Sequence, residues 1–232
     1  MIADRRVCLR FVISIAVLSL LVVLTALPLT AAHGVPQTPG PAPAKPAPAP
    51  GTPPPATRKP PKPQPRPHSV RVVVDPALIA VDDGDTLEIK WGPADVEEVR
   101  ILGIDCPETR HLQHSIPYSQ AFGEEARAFA RGALAIAGKI ELLRASMLDP
   151  YDRSLAYVFV NGQNYSVLVL EARLAEESIT AFGDNGFPKE AATALEAAKR
   201  AGPLPFEPPH QYRNRMRRLS DWMREKGIYP TQ

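Results

Sequence analysis

The chain is short of several features that would assign a class at once. It has only two cysteines in 232 residues, Cys8 and Cys106, on opposite sides of a long apolar run. A disulfide-stapled scaffold is thereby excluded. The 14 glycines follow no three-residue period, which excludes collagen. Only one apolar run, residues 11–29, approaches the length of a membrane span, which excludes a polytopic membrane protein. Positive charge is also scarce where a nucleic-acid binder would be expected to carry it. Residues 69–200 hold 13 Lys and Arg against 21 Asp and Glu, a net of −8. Binding of nucleic acid by bulk charge is not expected of such a region. If it handles phosphates, it needs a local device, such as a metal ion or a few placed arginines.

What is present falls into four unlike segments. Residues 1–32 carry Arg5, Arg6 and Arg10 ahead of 19 uncharged residues. This reads either as an uncleaved signal-anchor spanning the membrane through residues 11–29 or as a cleaved signal peptide. Both readings place the remainder outside the cytoplasm, membrane-tethered in one case and secreted or periplasmic in the other. Residues 33–68 contain 15 of the 27 prolines. They read as a semi-rigid polyproline II linker, able to hold a domain on the order of 100 Å from an envelope at about 3.1 Å per residue.

From Ser69 the texture becomes that of a folded domain, 69–201. The β-rich run at 70–74 with the apolar run at 78–81, then 86–91, then 96–104, read as three strands in order, with turns at 82–85 and 92–93. Residues 121–137 read as a helix, 140–143 and 155–160 as strands, and 165–175 and 189–201 as helices. The expected class is α+β, mainly β: a five-stranded OB-fold barrel with packed helices, one of them inserted after the third strand. Residues 202–232 open with four prolines and then offer a basic helix at 212–226. Met216, Leu219 and Met223 share one side of it. It reads as an amphipathic helix docking on the barrel or as a basic arm for an anionic partner.

Three stretches concentrate acids and arginines: VDDGDT at 81–86, VRILGIDCPET at 99–109 and DPYDRSLAYV at 149–158. An Asp-Gly-Asp alone is most simply a turn. Together, however, carboxylates at two strand ends can share one hard cation. A glutamate three residues beyond one of them can orient water, and two arginines can hold a phosphate bidentately. These parts suit metal-assisted phosphodiester hydrolysis. His111 and His114 lack an evident third ligand and read as a solvated loop pair.

At these motifs the sequence resembles the staphylococcal nuclease (thermonuclease) family, over roughly residues 70–201. The DGDT turn, the VRxxGIDxPE strand end, the GEEA helix start at 123–126 and the DR-LAYVFVNG strand occur in order at compatible spacing. The resemblance implies an OB barrel with packed helices and a Ca²⁺-dependent nuclease acting on DNA and RNA. It implies metal ligation by Asp85, Asp105 and the backbone carbonyl of Cys106. It further implies Arg100, Glu108 and Arg153 as catalytic residues, with Glu108 the general base, and Tyr151 beside the bound nucleotide. No protein partner and a monomer are expected. Four departures stand out. Cys106 replaces a usual threonine and offers an oxidisable thiol. Asp152, beside Arg153, is placed to compete for it. Pro150 sits where a lysine often stands. Positions near Ile179 and Ala181 lack the aromatic residues of a base pocket. The alternative reading is a non-catalytic OB-fold module that holds nucleic acid or another envelope polymer.

Overall fold

The computed structural model describes Pro60 and residues 62–230, all within one unit, Pro54–Gln232. The expected signal or anchor over 1–32, and most of the proline-rich linker, lie outside the described residues. Among those described, no helix is long and apolar enough to cross a membrane.

The chain runs β1 (Arg71–Val74), β2 (Ile79–Val81), β3 (Thr86–Gly92), β4 (Asp95–Ile101) and β5 (Ile104–Asp105). After α1 (Gly123–Ala135) come β6 (Ile140–Leu148), β7 (Ser154–Val160) and β8 (Gln163–Asn164). Next are α2 (Tyr165–Glu171), β9 (Glu176–Glu177), α3 (Ile179–Phe182), α4 (Pro188–Ala201) and α5 (Pro209–Glu225). The main sheet has the order β1-β6-β7-β4-β3-β2, with β8 beside β7; β5 and β9 form a separate pair. Among the described strands only β4 and β7 pair in parallel, across a connection long enough to hold α1 and β6.

The two outermost strands, β1 and β2, are separated in the chain by only four residues, 75–78. So short a link spans roughly 14 Å at most, which obliges the sheet to curl until its edges approach. β1 and β2 are one strand interrupted by a single 3₁₀ turn, which the Asp75 carboxylate caps by accepting from Ala77 N at 2.9 Å. Counted so, five strands form a curled mixed sheet, with α1 inserted after the third, in the order expected from the sequence. The fold is α+β.

Alternation along β3 and β4 sends Leu87, Ile89, Val99 and Ile101 into the core, each at most 2% exposed. Small residues on the helices, Ala126 and Ala130 of α1 and Ala191, Ala194 and Ala197 of α4, form inward stripes that allow close approach. β6 is five residues longer than its apolar run, because Arg144 lies inside it, only 1% exposed. Its charge is met by Glu97 of β4, which accepts from Nε at 2.6 Å and from Nη2 at 2.8 Å.

The folded part also begins earlier than Ser69. Residues 62–64 lie along the end of β6, where Leu148 N donates to Lys62 O at 2.9 Å and Gln64 N to Ser146 O at 2.9 Å. Arg66 reaches Asp95 and, at 3.3 Å, Glu97. The last residues of the expected linker are thus held by the sheet.

In the tail, α5 turns Tyr212, Met216, Ser220 and Met223 inward, and Tyr212 and Met216 pack on Ile116 of the long 106–122 loop. Leu219 packs at the edge of this cluster, and Trp222 is half exposed.

Candidate active site

The site forms where β3 begins and β4 and β5 end. Asp83 caps the preceding turn by accepting from Asp85 N at 3.0 Å, while Asp82 N and Asp83 N turn back to Thr86 O. Tyr165 of α2 clamps the turn from below, donating its hydroxyl to Gly84 O at 2.8 Å. Asp85 is thereby fixed in the interior, 1% exposed. Asp105 enters from β5, held in register against Glu176 of β9.

One side chain joins the two aspartates. Arg100, the last but one residue of β4, pairs with Asp85 through Nη1 and with Asp105 through Nη2 at 2.8 Å. The second Asp85 oxygen accepts from Cys106 N at 2.6 Å. Arg100→Ala would leave buried Asp85 without its ion-pair partner and Asp105 with only Arg213 of α5. Because Arg100 is itself about one-fifth exposed, a loss of about 1–3 kcal/mol is expected in a urea titration, below the figure for a fully buried pair.

Glu108 is positioned by its backbone. Its N–H donates to Gln120 Oε1 at 3.2 Å and its carbonyl accepts from Gln120 N at 2.8 Å. Gln120, buried, also donates to Glu207 O at 2.7 Å. The start of α1 presses on the same carbonyl. A Cβ at Gly123 would lie 2.2 Å from Glu108 O, so only glycine fits there. Gly123→Ala must push that backbone aside, and a destabilisation of about 1–3 kcal/mol is expected by thermal denaturation, as for overpacking elsewhere.

A residue that the sequence reading did not place here completes the cluster. Arg213 of α5 binds Asp105 with both terminal nitrogens, at 2.8 and 3.0 Å, and Glu108 Oε1 at 2.5 Å. Burial pushes Asp105 upward, but the Arg213 hydrogen bonds and the Arg100 charge outweigh it and hold its carboxyl below the ordinary value. Burial raises Glu108 above its ordinary value, and Arg213 offsets this only in part.

The other site residues lie apart. Arg153 is held by Asp149, whose Oδ2 accepts from Nε at 2.7 Å, and stands 3.8 Å from Glu98. Asp149 thus competes for Arg153, and Asp152, beside it in the turn, pairs with Lys62 at 2.8 Å. Asp149 has this role because it closes the 149–153 turn, accepting from the backbone N–H of Tyr151 and Arg153. Tyr151 is 78% exposed, with the Arg153 guanidinium 5.5 Å from its ring centre. Cys106 is buried, and burial pushes its thiol well above the ordinary range. The side chain packs between Gly84 and Ala126 and is protected there from the oxidation that its type suggests. His111 and His114 meet each other at 2.9 Å. Among the described residues, no three or more His, Cys, Asp or Glu side chains are grouped as a ready metal site.

Residues 98–202 match the family described as "Staphylococcal nuclease homologue". The chain is also similar to named endonucleases. It is 34% identical over 105 residues to the SPbeta prophage-derived endonuclease YokF of Bacillus subtilis, covering 44% of this chain and 34% of that one. It is 32% identical over 117 residues to endonuclease YncB of the same organism, covering 47% and 51%. It is 30% identical over 96 residues to endonuclease Htp3 of Saprolegnia parasitica, covering 35% and 43%. The chain thus spans about a third to a half of the length of these relatives. The matched region contains Arg100, Asp105, Glu108 and Arg153, and the curled five-strand order agrees with the OB fold of that family. The chain carries a staphylococcal nuclease-like domain.

Proposed function

We propose that this protein is a nuclease that hydrolyses phosphodiester bonds of DNA and RNA with little sequence preference. It would act outside the cytoplasm, secreted or tethered through residues 11–29. The observation that carries the reading is the bridge made by Arg100 between Asp85 and Asp105, with Glu108 at its rim. Four groups between residues 85 and 108 converge there, and each has a use in phosphodiester hydrolysis.

Asp85 and Asp105 are hard oxygen donors brought together on one cationic group, and this donor set fits Ca²⁺. With the Cys106 carbonyl they would hold it. When bound, the ion supplies positive charge to neutralise the phosphate and its developing charge. Glu108, raised by burial, accepts the proton of the attacking water. Arg100 orients a non-bridging oxygen, and Arg153, once it lets go of Asp149, steadies the departing oxygen.

The second reading, a module that binds without cutting, is favoured by the engagement of Arg153 with Asp149. Incubation of the full chain with end-labelled single-stranded DNA and RNA separates the two. The nuclease reading expects fragments with Ca²⁺ and none with chelator. Intact strands under every divalent ion, with retarded mobility, would establish the binding module instead.

A further inference from the structure

α5 lies outside the matched region, yet it reaches the centre of the site. The 106–122 loop holds it in place. Tyr212 donates to Tyr118 O at 2.8 Å and Ser220 to Ser115 O at 2.9 Å, and beyond the helix Tyr229 donates to Leu112 O at 2.7 Å. The helix thereby fixes the stem of Arg213 while its guanidinium sits at the rim, 27% exposed. Asp105 already has Arg100 as a partner, whereas the ion pair of Glu108 is with Arg213. One turn further on, Arg217 is exposed and has no ion pair among the described residues.

We propose that Arg213 is a third arginine of the site. It neutralises Asp105 and Glu108 while no divalent cation is bound; with a cation on Asp105 it would release both, leaving Glu108 free to take a proton, and turn its guanidinium to the phosphate of the substrate strand. The proposal rests on the nuclease reading for its substrate class. The charges motivate it. With a divalent cation held on Asp105, Arg213 would lose its partner and be repelled, and its guanidinium would need another anion. Its planar fork matches a phosphate, and it is already at the rim. Arg153 is less able to do this, since it is anchored to Asp149 in the same turn. Arg217 continues the same helix edge and would meet the next phosphate along the strand.

The exchange leaves a signature of opposite signs. Ca²⁺ binding to the full chain is measured by calorimetry for the wild type and Arg213→Ala. Strand binding is measured with Ca²⁺ present, as KM for a labelled single-stranded DNA, or as Kd if the chain does not cut. Arg213→Ala is expected to bind Ca²⁺ about tenfold more tightly and the strand about tenfold more weakly, the size of one charge-assisted hydrogen-bond contact. A merely structural role would weaken both together. Unchanged or weaker Ca²⁺ binding by Arg213→Ala, or no Ca²⁺ binding by either chain, overturns the proposal. If the alanine chain does not fold, Arg213→Gln, which keeps the stem, is read in the same way. Absence of cleavage by the wild type would count against the nuclease reading alone, because the Ca²⁺ comparison stands without it.

Discussion

Replacing Glu97 with alanine is expected to cost about 3–5 kcal/mol, the typical penalty for removing one partner of a buried ion pair. Arg144 would remain charged in the interior, 1% exposed, with the acceptor of its two strongest hydrogen bonds gone. Ser154 and the Trp91 ring N–H, which donate to the same carboxylate at 2.6 and 2.8 Å, would lose their acceptor too. For a domain of this size the melting temperature should fall by about 10 °C or more. The double replacement Glu97→Leu with Arg144→Met should recover much of that loss, because a buried pair contributes less than its breakage costs. A single variant as stable as the wild type in a thermal melt would show that this pair does not hold β4 to β6.

The same carboxylate makes the fold acid-sensitive. Burial pushes Glu97 up, but the Arg144 and Ser154 hydrogen bonds and the Arg144 charge bring it below its ordinary value. Its folded value is depressed, so its contribution is fully present above the ordinary glutamate value of about 4.3. It is lost as pH falls through the lower, folded value. The stability gap between wild type and Glu97→Ala should therefore narrow in acid.

Much of this molecule was legible in the chain because local pattern and fold agree. Apolar–polar alternation in 86–91 and the apolar positions 96, 99 and 101 mark β3 and β4, and the Ala-Glu-Arg run marks α1. The turn at 82–85 and the strand ends near 105 and 153 marked the acidic cluster. What escaped has a physical reason in each case. β6 appeared to stop at Leu143 because the next residue is an arginine, and only the distant Glu97 makes its burial tolerable. Residues 62–68 look like free linker because prolines hide a backbone pairing with β6 and ion pairs to the distant Asp95 and Asp152. Asp149 was overlooked as the partner of Arg153 because the turn, rather than adjacency, brings them together. Arg213 lies 105 residues from Glu108, among five arginines of one helix, and no spacing rule distinguishes it from its neighbours. The amphipathic pattern of 212–226 did indicate that the helix docks, though not that one of its arginines ends on the carboxylates.

On the proposed function, Glu108 is the base of a phosphodiester-cleaving site. The substitution Glu108→Gln keeps the shape of the side chain and removes its ability to take a proton. The Gln120 hydrogen bonds and the Gly123 contact involve its backbone, so the fold should survive. Single-turnover cleavage of a 5′-labelled single-stranded DNA, with the full wild-type chain and Glu108→Gln side by side in Ca²⁺, tests this most directly. A drop in rate of about 10²–10⁴-fold, with thermal stability and strand affinity kept, is the expected result. Equal rates in the two chains would contradict the account and place the chemistry elsewhere.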